Sequence, residues 1–142
     1  HFYKLNYPYN IPHICLFLAS WGLLTLSSFQ AGYKVQTGLL GWTALFRGKK
    51  PIYPNMPTHG LFLIIRQPIY LSFCLVLWTS PYMTLDLLLI AISYSIYCYL
   101  APLLKERRFT IIYGEAFIKY KKAVPYFFPR IFKNKKIYHK DL

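Results

Sequence analysis

From Gln67 to Leu104 the chain carries no lysine or arginine, and from Ile11 to Phe29 it carries no charge at all. Runs of that kind restrict the fold more than any other feature here. The 19 residues from Ile11 to Phe29, at about 1.5 Å per residue, approach the roughly 30 Å hydrocarbon core of a bilayer, so they predict a spanning helix. Pro8 and Pro12 mark its start, and Tyr3, Tyr7 and Tyr9 suit an interfacial aromatic belt. A second run, Leu61 to Trp78, is interrupted by Arg66-Gln67-Pro68. Proline is tolerated in a first helical turn, where its missing N–H costs nothing, so a helix beginning near Gln67 is the economical reading. Ser80-Pro81-Tyr82 reads as a short turn, and Thr84 can cap a further helix with Asp86 in its first turn. That helix is expected to reach about Leu104, with Pro102 loosening its last turn. So short a connection permits only an antiparallel hairpin.

The intervening segment, Gly32 to Gly60, is punctuated by glycine and proline and reads as a loop with one short interfacial helix around Leu39 to Phe46. After the hairpin, Phe109, Ile112, Tyr113, Ala116, Phe117 and Tyr120 recur at three- and four-residue steps, so Glu106 to Ala123 is helix-compatible and Pro125 stops it. Arg130 to Leu142 form a basic tail. The expected architecture is all-α: a polytopic membrane helix bundle in one domain (1–142), with helices at about 11–30, 67–80, 83–104 and 106–123, three of them spanning, and a C-terminal amphipathic helix. The chain starts at His1 instead of Met, so further N-terminal helices are expected to precede it.

Composition agrees. The sequence is 56% hydrophobic and 20% aromatic, beyond what a soluble domain usually shows. Seventeen Lys and Arg face four Asp and Glu, for a net charge of +13. Basic residues that flank apolar runs are the signature of membrane orientation and anionic lipid headgroups, which argues against nucleic acid as the partner. Because Lys34 to Arg66 and Lys105 to Lys140 are both basic, the positive-inside rule puts both, and the C-terminus, in the cytoplasm of a multi-pass protein. Cys15, Cys74 and Cys98 all lie in apolar runs, fit no zinc spacing and read as small buried hydrophobes. Glycine-rich phosphate loops, nucleophile elbows and metal clusters are absent from the sequence.

Two charged constellations flank the hairpin. Arg66 and Tyr70, in Arg66-Gln67-Pro68-Ile69-Tyr70, either snorkel to the interface or donate hydrogen bonds to an anionic ligand. Lys105-Glu106-Arg107-Arg108 lies at the matching end, adjacent in space to Arg66 through the hairpin. Cations there can simply stabilise a helix C-terminus and bind lipid phosphate. Glu106 fits that reading poorly, since a carboxylate beside anionic headgroups must be paired or used. Glu115 can form a plain salt bridge with Lys119, four residues on.

At these residues the chain resembles the integral-membrane methyltransferases of the isoprenylcysteine carboxyl methyltransferase and phospholipid methyltransferase superfamily. The resemblance covers about residues 25 to 129. It runs through Arg66-Gln67-Pro68-Ile69-Tyr70, the hairpin, Lys105-Glu106, Gly114 to Tyr120 and Val124-Pro125, and the Trp78-to-Thr84 turn resembles the subgroup similar to methanethiol S-methyltransferase. It implies S-adenosylmethionine-dependent methylation of a small thiol or lipophilic acceptor at the membrane surface. The cofactor would be held by Arg66, Gln67, Pro68, Tyr70, Glu106, Phe117 and Tyr120, with Arg66 and Glu106 as the catalytic candidates. Arg66 would meet its carboxylate and Glu106 its ammonium. Tyr70, Phe117 and Tyr120 would offer aromatic faces to adenine or sulfonium. Two positions depart from the family pattern. Gln67 stands where the family has His, keeping a hydrogen bond without acid–base capacity. Lys105 stands in place of the first Glu of an acidic pair and reverses its charge. A non-catalytic homologue retaining the fold, or a small basic subunit of a membrane complex, would carry the same pattern.

Overall fold

The computed structural model describes residues 3–4 and 10–129, so Tyr7, Pro8 and Tyr9, read above as the entry to the first helix and its aromatic belt, and the basic tail Arg130 to Leu142 lie outside the described residues. In chain order the elements are β1 (Tyr3–Lys4), α1 (Asn10–Gln30), α2 (Tyr33–Gln36), α3 (Leu39–Phe46), a 3-10 turn (Gly60–Leu63), α4 (Pro68–Trp78), β2 (Tyr82–Met83), α5 (Leu85–Tyr113) and α6 (Glu115–Ala123). The molecule is therefore mostly helical. α3 falls on the stretch read as a short helix, and α4 starts directly after Gln67 with Pro68 in its first turn. Thr84 caps α5 as its sequence position indicates, its hydroxyl oxygen accepting from the Leu87 N–H at 3.2 Å.

α1 and α5 are long and apolar enough to cross a membrane; at about 1.5 Å per residue their 21 and 29 residues measure roughly 31 and 43 Å. Only 11% and 17% of their most apolar stretches are buried. Side chains such as Leu18, Leu89 and Ile96 thus point outward, an arrangement that suits lipid and not water. Several of their hydroxyls are satisfied without water. Ser20, Thr25 and Ser95 donate to carbonyls of their own helices at 2.8, 2.9 and 2.6 Å. α4 differs: its 11 residues reach about half the hydrocarbon thickness, so it lacks the length expected of a third span.

α4 packs between α1 and α5. α1 runs antiparallel to it: near the start of α1, His13 Nε2 lies 3.1 Å from the Ser80 carbonyl, and Thr79 donates to Ser20 at 3.4 Å. At the opposite end the Leu61 N–H donates to Gln30 Oε1 at 2.8 Å. Gly60 is needed for that joint, because its φ is +59° and a Cβ there would lie 2.5 Å from Gln30 Oε1. β1 and β2 pair antiparallel, Tyr3 opposite Met83 and Lys4 opposite Tyr82, beside the hairpin turn.

One helix boundary departs from the sequence reading. α5 does not end near Leu104 but continues through Pro102 and Lys105-Glu106-Arg107-Arg108 to Tyr113, and the break falls at Gly114. Pro102 removes one backbone donor while keeping a helical φ, a loss that a long helix tolerates. Gly114 has φ +56° and ψ −128°, a conformation that essentially only glycine adopts, and it redirects the chain into α6. Glu106 is consequently a residue within a continuous helix, not a residue in a hinge.

Candidate functional site

The polar groups gather where α1 ends and α4 begins. Two contacts dock the segment after Gly114 onto this end. The Arg66 N–H donates to the Pro125 carbonyl at 2.9 Å, and the Tyr120 hydroxyl donates to the Phe62 carbonyl at 2.6 Å. Phe117, Tyr120 and Val124 form the buried cluster that holds α6 there, with Phe109 and Tyr113 of α5 packed against it. Lysines 119, 121 and 122 stay on its exposed side. Glu115 is also exposed, and among the described residues it forms no ion pair, so the proposed bridge to Lys119 is not made.

Glu106 is the hub. Its carboxylate is 3% exposed. Oε1 accepts from Gln67 Nε2 at 3.0 Å. Oε2 faces Arg66 Nη1 at 3.4 Å and Lys121 Nζ at 3.6 Å. Arg66 is itself nearly buried, its side chain 9% exposed, whereas Lys121 is half in solvent. The Arg66–Glu106 contact is an ion pair at close range, yet its atoms are not aligned as a hydrogen bond. Arg66 Nε, Arg66 Nη1 and Glu106 Oε2 are left buried without hydrogen-bond partners among the described residues. Buried polar groups are normally satisfied, so three orphaned atoms at one point make this cluster the candidate site. Guanidinium donors suit a carboxylate, and a carboxylate oxygen that is ion-paired but accepts no hydrogen bond suits an ammonium.

Tyr126 completes the surround. Its ring lies 5.3 Å from Arg66 Cζ, and its hydroxyl donates to the Tyr99 carbonyl at 2.8 Å. Burial, and then the nearby Glu106 carboxylate, push its phenol up to about 12.

The structure thus brings Arg66, Gln67, Phe117 and Tyr120 together around one small pocket of about 20 Å³, which Lys105 also lines, and Glu106 stands behind it, in contact with Arg66 and Gln67. Pro68 is fully buried beneath them, its carbonyl accepting from Ser72 Oγ at 2.6 Å. Tyr70 stands apart, in the wall of an adjoining cavity of about 450 Å³ that Ile69, Phe73, Tyr94 and Tyr97 also line. Lys105 lies on both spaces and joins them. Lys121 and Tyr126 were not singled out by sequence reasoning. Their only signal is position, one turn before and one residue after the Val124-Pro125 pair that closes the motif.

This cluster occurs in a chain that aligns with characterised proteins over most of its length. It is 29% identical over 119 residues (84% of this chain, 45% of the relative) to methanethiol S-methyltransferase of Pseudomonas deceptionensis. It is 32% identical over 111 residues (78% and 39%) to methanethiol S-methyltransferase 1 of Bradyrhizobium diazoefficiens. Over most of its own length the chain is similar to these methanethiol S-methyltransferases. A third such enzyme, from Mycobacterium tuberculosis, is 29% identical over 114 residues, 80% of this chain and 47% of its own. The chain spans less than half the length of each of these methanethiol S-methyltransferases. No protein-family model matches it, and no solved structure matches it.

Proposed function

We propose that this chain carries the donor-binding part of an S-adenosylmethionine-dependent methyltransferase that acts on a small thiol at a membrane surface. The single observation that carries the reading is the buried Arg66–Gln67–Glu106 cluster with its three orphaned polar atoms, in a relative of methanethiol S-methyltransferases. In this reading α1, α4 and α5 sit in the bilayer. Both basic segments, and the C-terminal helix, face the cytoplasm.

The donor set suits the amino-acid end of S-adenosylmethionine. Arg66 would bind its carboxylate and Glu106 its ammonium, while Gln67 fixes the carboxylate plane through Oε1. Phe117 and Tyr120 present aromatic faces from α6, and Tyr70 does so from α4. The pocket's 20 Å³ holds about one water, so a ligand has to part Arg66 from Glu106, and binding competes with their ion pair. When bound, S-adenosylmethionine supplies an electrophilic methyl group. The chain's own contribution is to hold the two reactants in line and keep the site dry, which can account for several kcal/mol of barrier. Gln67 acts here through its hydrogen bond alone; it cannot exchange a proton as histidine does.

The test is methyl transfer from labelled S-adenosylmethionine to methanethiol by the full-length protein in membranes. Labelled dimethyl sulfide that disappears in Glu106→Gln supports the reading. Absence of product together with absence of S-adenosylmethionine binding overturns it, and would leave a non-catalytic homologue of the same fold.

A further inference from the structure

The cavity beside the polar cluster carries one unexplained charge. Its walls are largely apolar and aromatic, with Ile69, Phe73, Tyr94 and Tyr97 facing about 450 Å³ of space, a volume within the usual range for small-molecule sites. Lys105 supplies the single charged side chain among the residues lining it. Its ammonium has no carboxylate partner among the described residues. The neighbouring Glu106 carboxylate is already occupied by Gln67, Arg66 and Lys121. Lys105 Nζ instead lies 5.3 Å from the centroid of the Phe109 ring, and a cation–π contact offsets only part of the cost of a partly buried cation. From α4, the Tyr70 hydroxyl also reaches the cavity, and it has no hydrogen-bond partner among the described residues. The other groups facing this point are Gln36 of α2, Tyr94, Tyr97 and Cys98 of α5, and Arg66 and Gln67 across the small pocket. None of these lining groups is a carboxylate, and the Glu106 carboxylate that acts on Lys105 from outside the cavity is shared with Gln67, Arg66 and Lys121, so the cavity has a positive end and a greasy body.

We propose that Lys105 is the acceptor-binding residue, holding a small thiol in this cavity as its thiolate, paired with the ammonium and with its carbon chain against the aromatic walls. This deepens the methyl-transfer reading and rests on it. The thiol proton passes to solvent when the anion binds, and Lys105 keeps its own proton throughout. The thiolate sulfur's electron pair forms the new carbon–sulfur bond. The bond from that methyl to the sulfonium donor breaks, and its electron pair stays with the donor, which leaves neutral. The product is a neutral thioether with no charge for Lys105 to hold, so the residue that captures the substrate does not retain the product.

The test is calorimetric titration of the full-length protein in detergent, without methyl donor. The probes are 2,2,2-trifluoroethanethiol, an acidic thiol, and its neutral methyl thioether. Wild type should bind the thiol at least 10-fold more tightly than the thioether, and more tightly as pH rises through the thiol's ionisation. Lys105→Gln should lose that preference and Lys105→Arg should keep most of it, while thioether affinity changes little in either. The wild-type pH series stands without any variant. S-adenosylmethionine binding is measured on the same sample. If it is absent, the methyl-transfer reading fails. If it is present but thiol and thioether bind alike, or Lys105→Gln retains the preference, this inference alone is overturned.

Discussion

Replacing Glu106 with alanine removes the one anion among the described residues that faces Arg66 and Lys121. At 3.4 Å and an effective dielectric of about 20, the Arg66–Glu106 attraction is roughly 5 kcal/mol before desolvation is counted. Lys121 is 51% exposed, so its pairing adds at most about 1 kcal/mol. The truncation also strips the acceptor from Gln67 Nε2, an amide that is itself buried. Desolvation offsets much of the gross attraction in the intact pair, but removal of one partner strands a guanidinium that is 9% exposed, and that typically costs about 3–5 kcal/mol. Glu106→Ala should therefore destabilise the protein by about 3–5 kcal/mol. Glu115→Ala, at an exposed position without an ion pair among the described residues, should stay within about 0.5 kcal/mol of wild type. The double variant Arg66→Met/Glu106→Leu, which leaves no buried charge stranded, should be less destabilised than Glu106→Ala despite losing both groups. The assay is denaturant unfolding in mild detergent followed by circular dichroism. A Glu106→Ala protein within about 1 kcal/mol of wild type, or a double variant as unstable as the single, would refute the argument that Glu106 compensates a buried cation.

Two further outcomes follow from single residues. Gly114→Ala meets no atom within 4 Å, so its cost should be backbone strain alone, about 1–3 kcal/mol in the same unfolding assay, and a change below about 0.5 kcal/mol would contradict the need for glycine at φ +56°. Tyr126 stays neutral in the fold up to about 12, against an ordinary phenol near 10, so the folded chain holds a proton that the unfolded chain has released. Stability should be unaffected below pH of about 10 and fall between about 10 and 12, and the phenolate absorbance difference between wild type and Tyr126→Phe should rise near the upper value; ionisation near 10 would contradict the burial.

Much of the fold is written in local patterns. The charge-free run gives α1, Pro68 gives the start of α4, and Thr84 gives the cap of α5, because each depends on a few neighbouring residues. The juxtaposition of Arg66 with Glu106 is also legible, since a short turn leaves only an antiparallel hairpin to join them. What escapes is competition between local signals. Pro102 looks like a helix end, and Lys105-Glu106-Arg107-Arg108 looks like a terminus, yet a continuous helix forms and Gly114 takes the break. Tertiary partners escape for a different reason. Lys121 and Tyr126 reach the site only because α6 folds back after Gly114, and no periodicity in the sequence encodes where that segment docks. The pairing of β1 with β2 is likewise too short to leave a pattern.

The central claim is that the Arg66–Gln67–Glu106 cluster binds a methyl donor. Isothermal titration of the full-length protein with S-adenosylmethionine in detergent, beside Glu106→Gln, tests it most directly. The account predicts saturable binding to wild type that is lost or weakened at least 10-fold in Glu106→Gln, a loss of about 1.4 kcal/mol or more. Folded wild-type protein that binds no S-adenosylmethionine, or a Glu106→Gln variant that binds it unchanged, would contradict it.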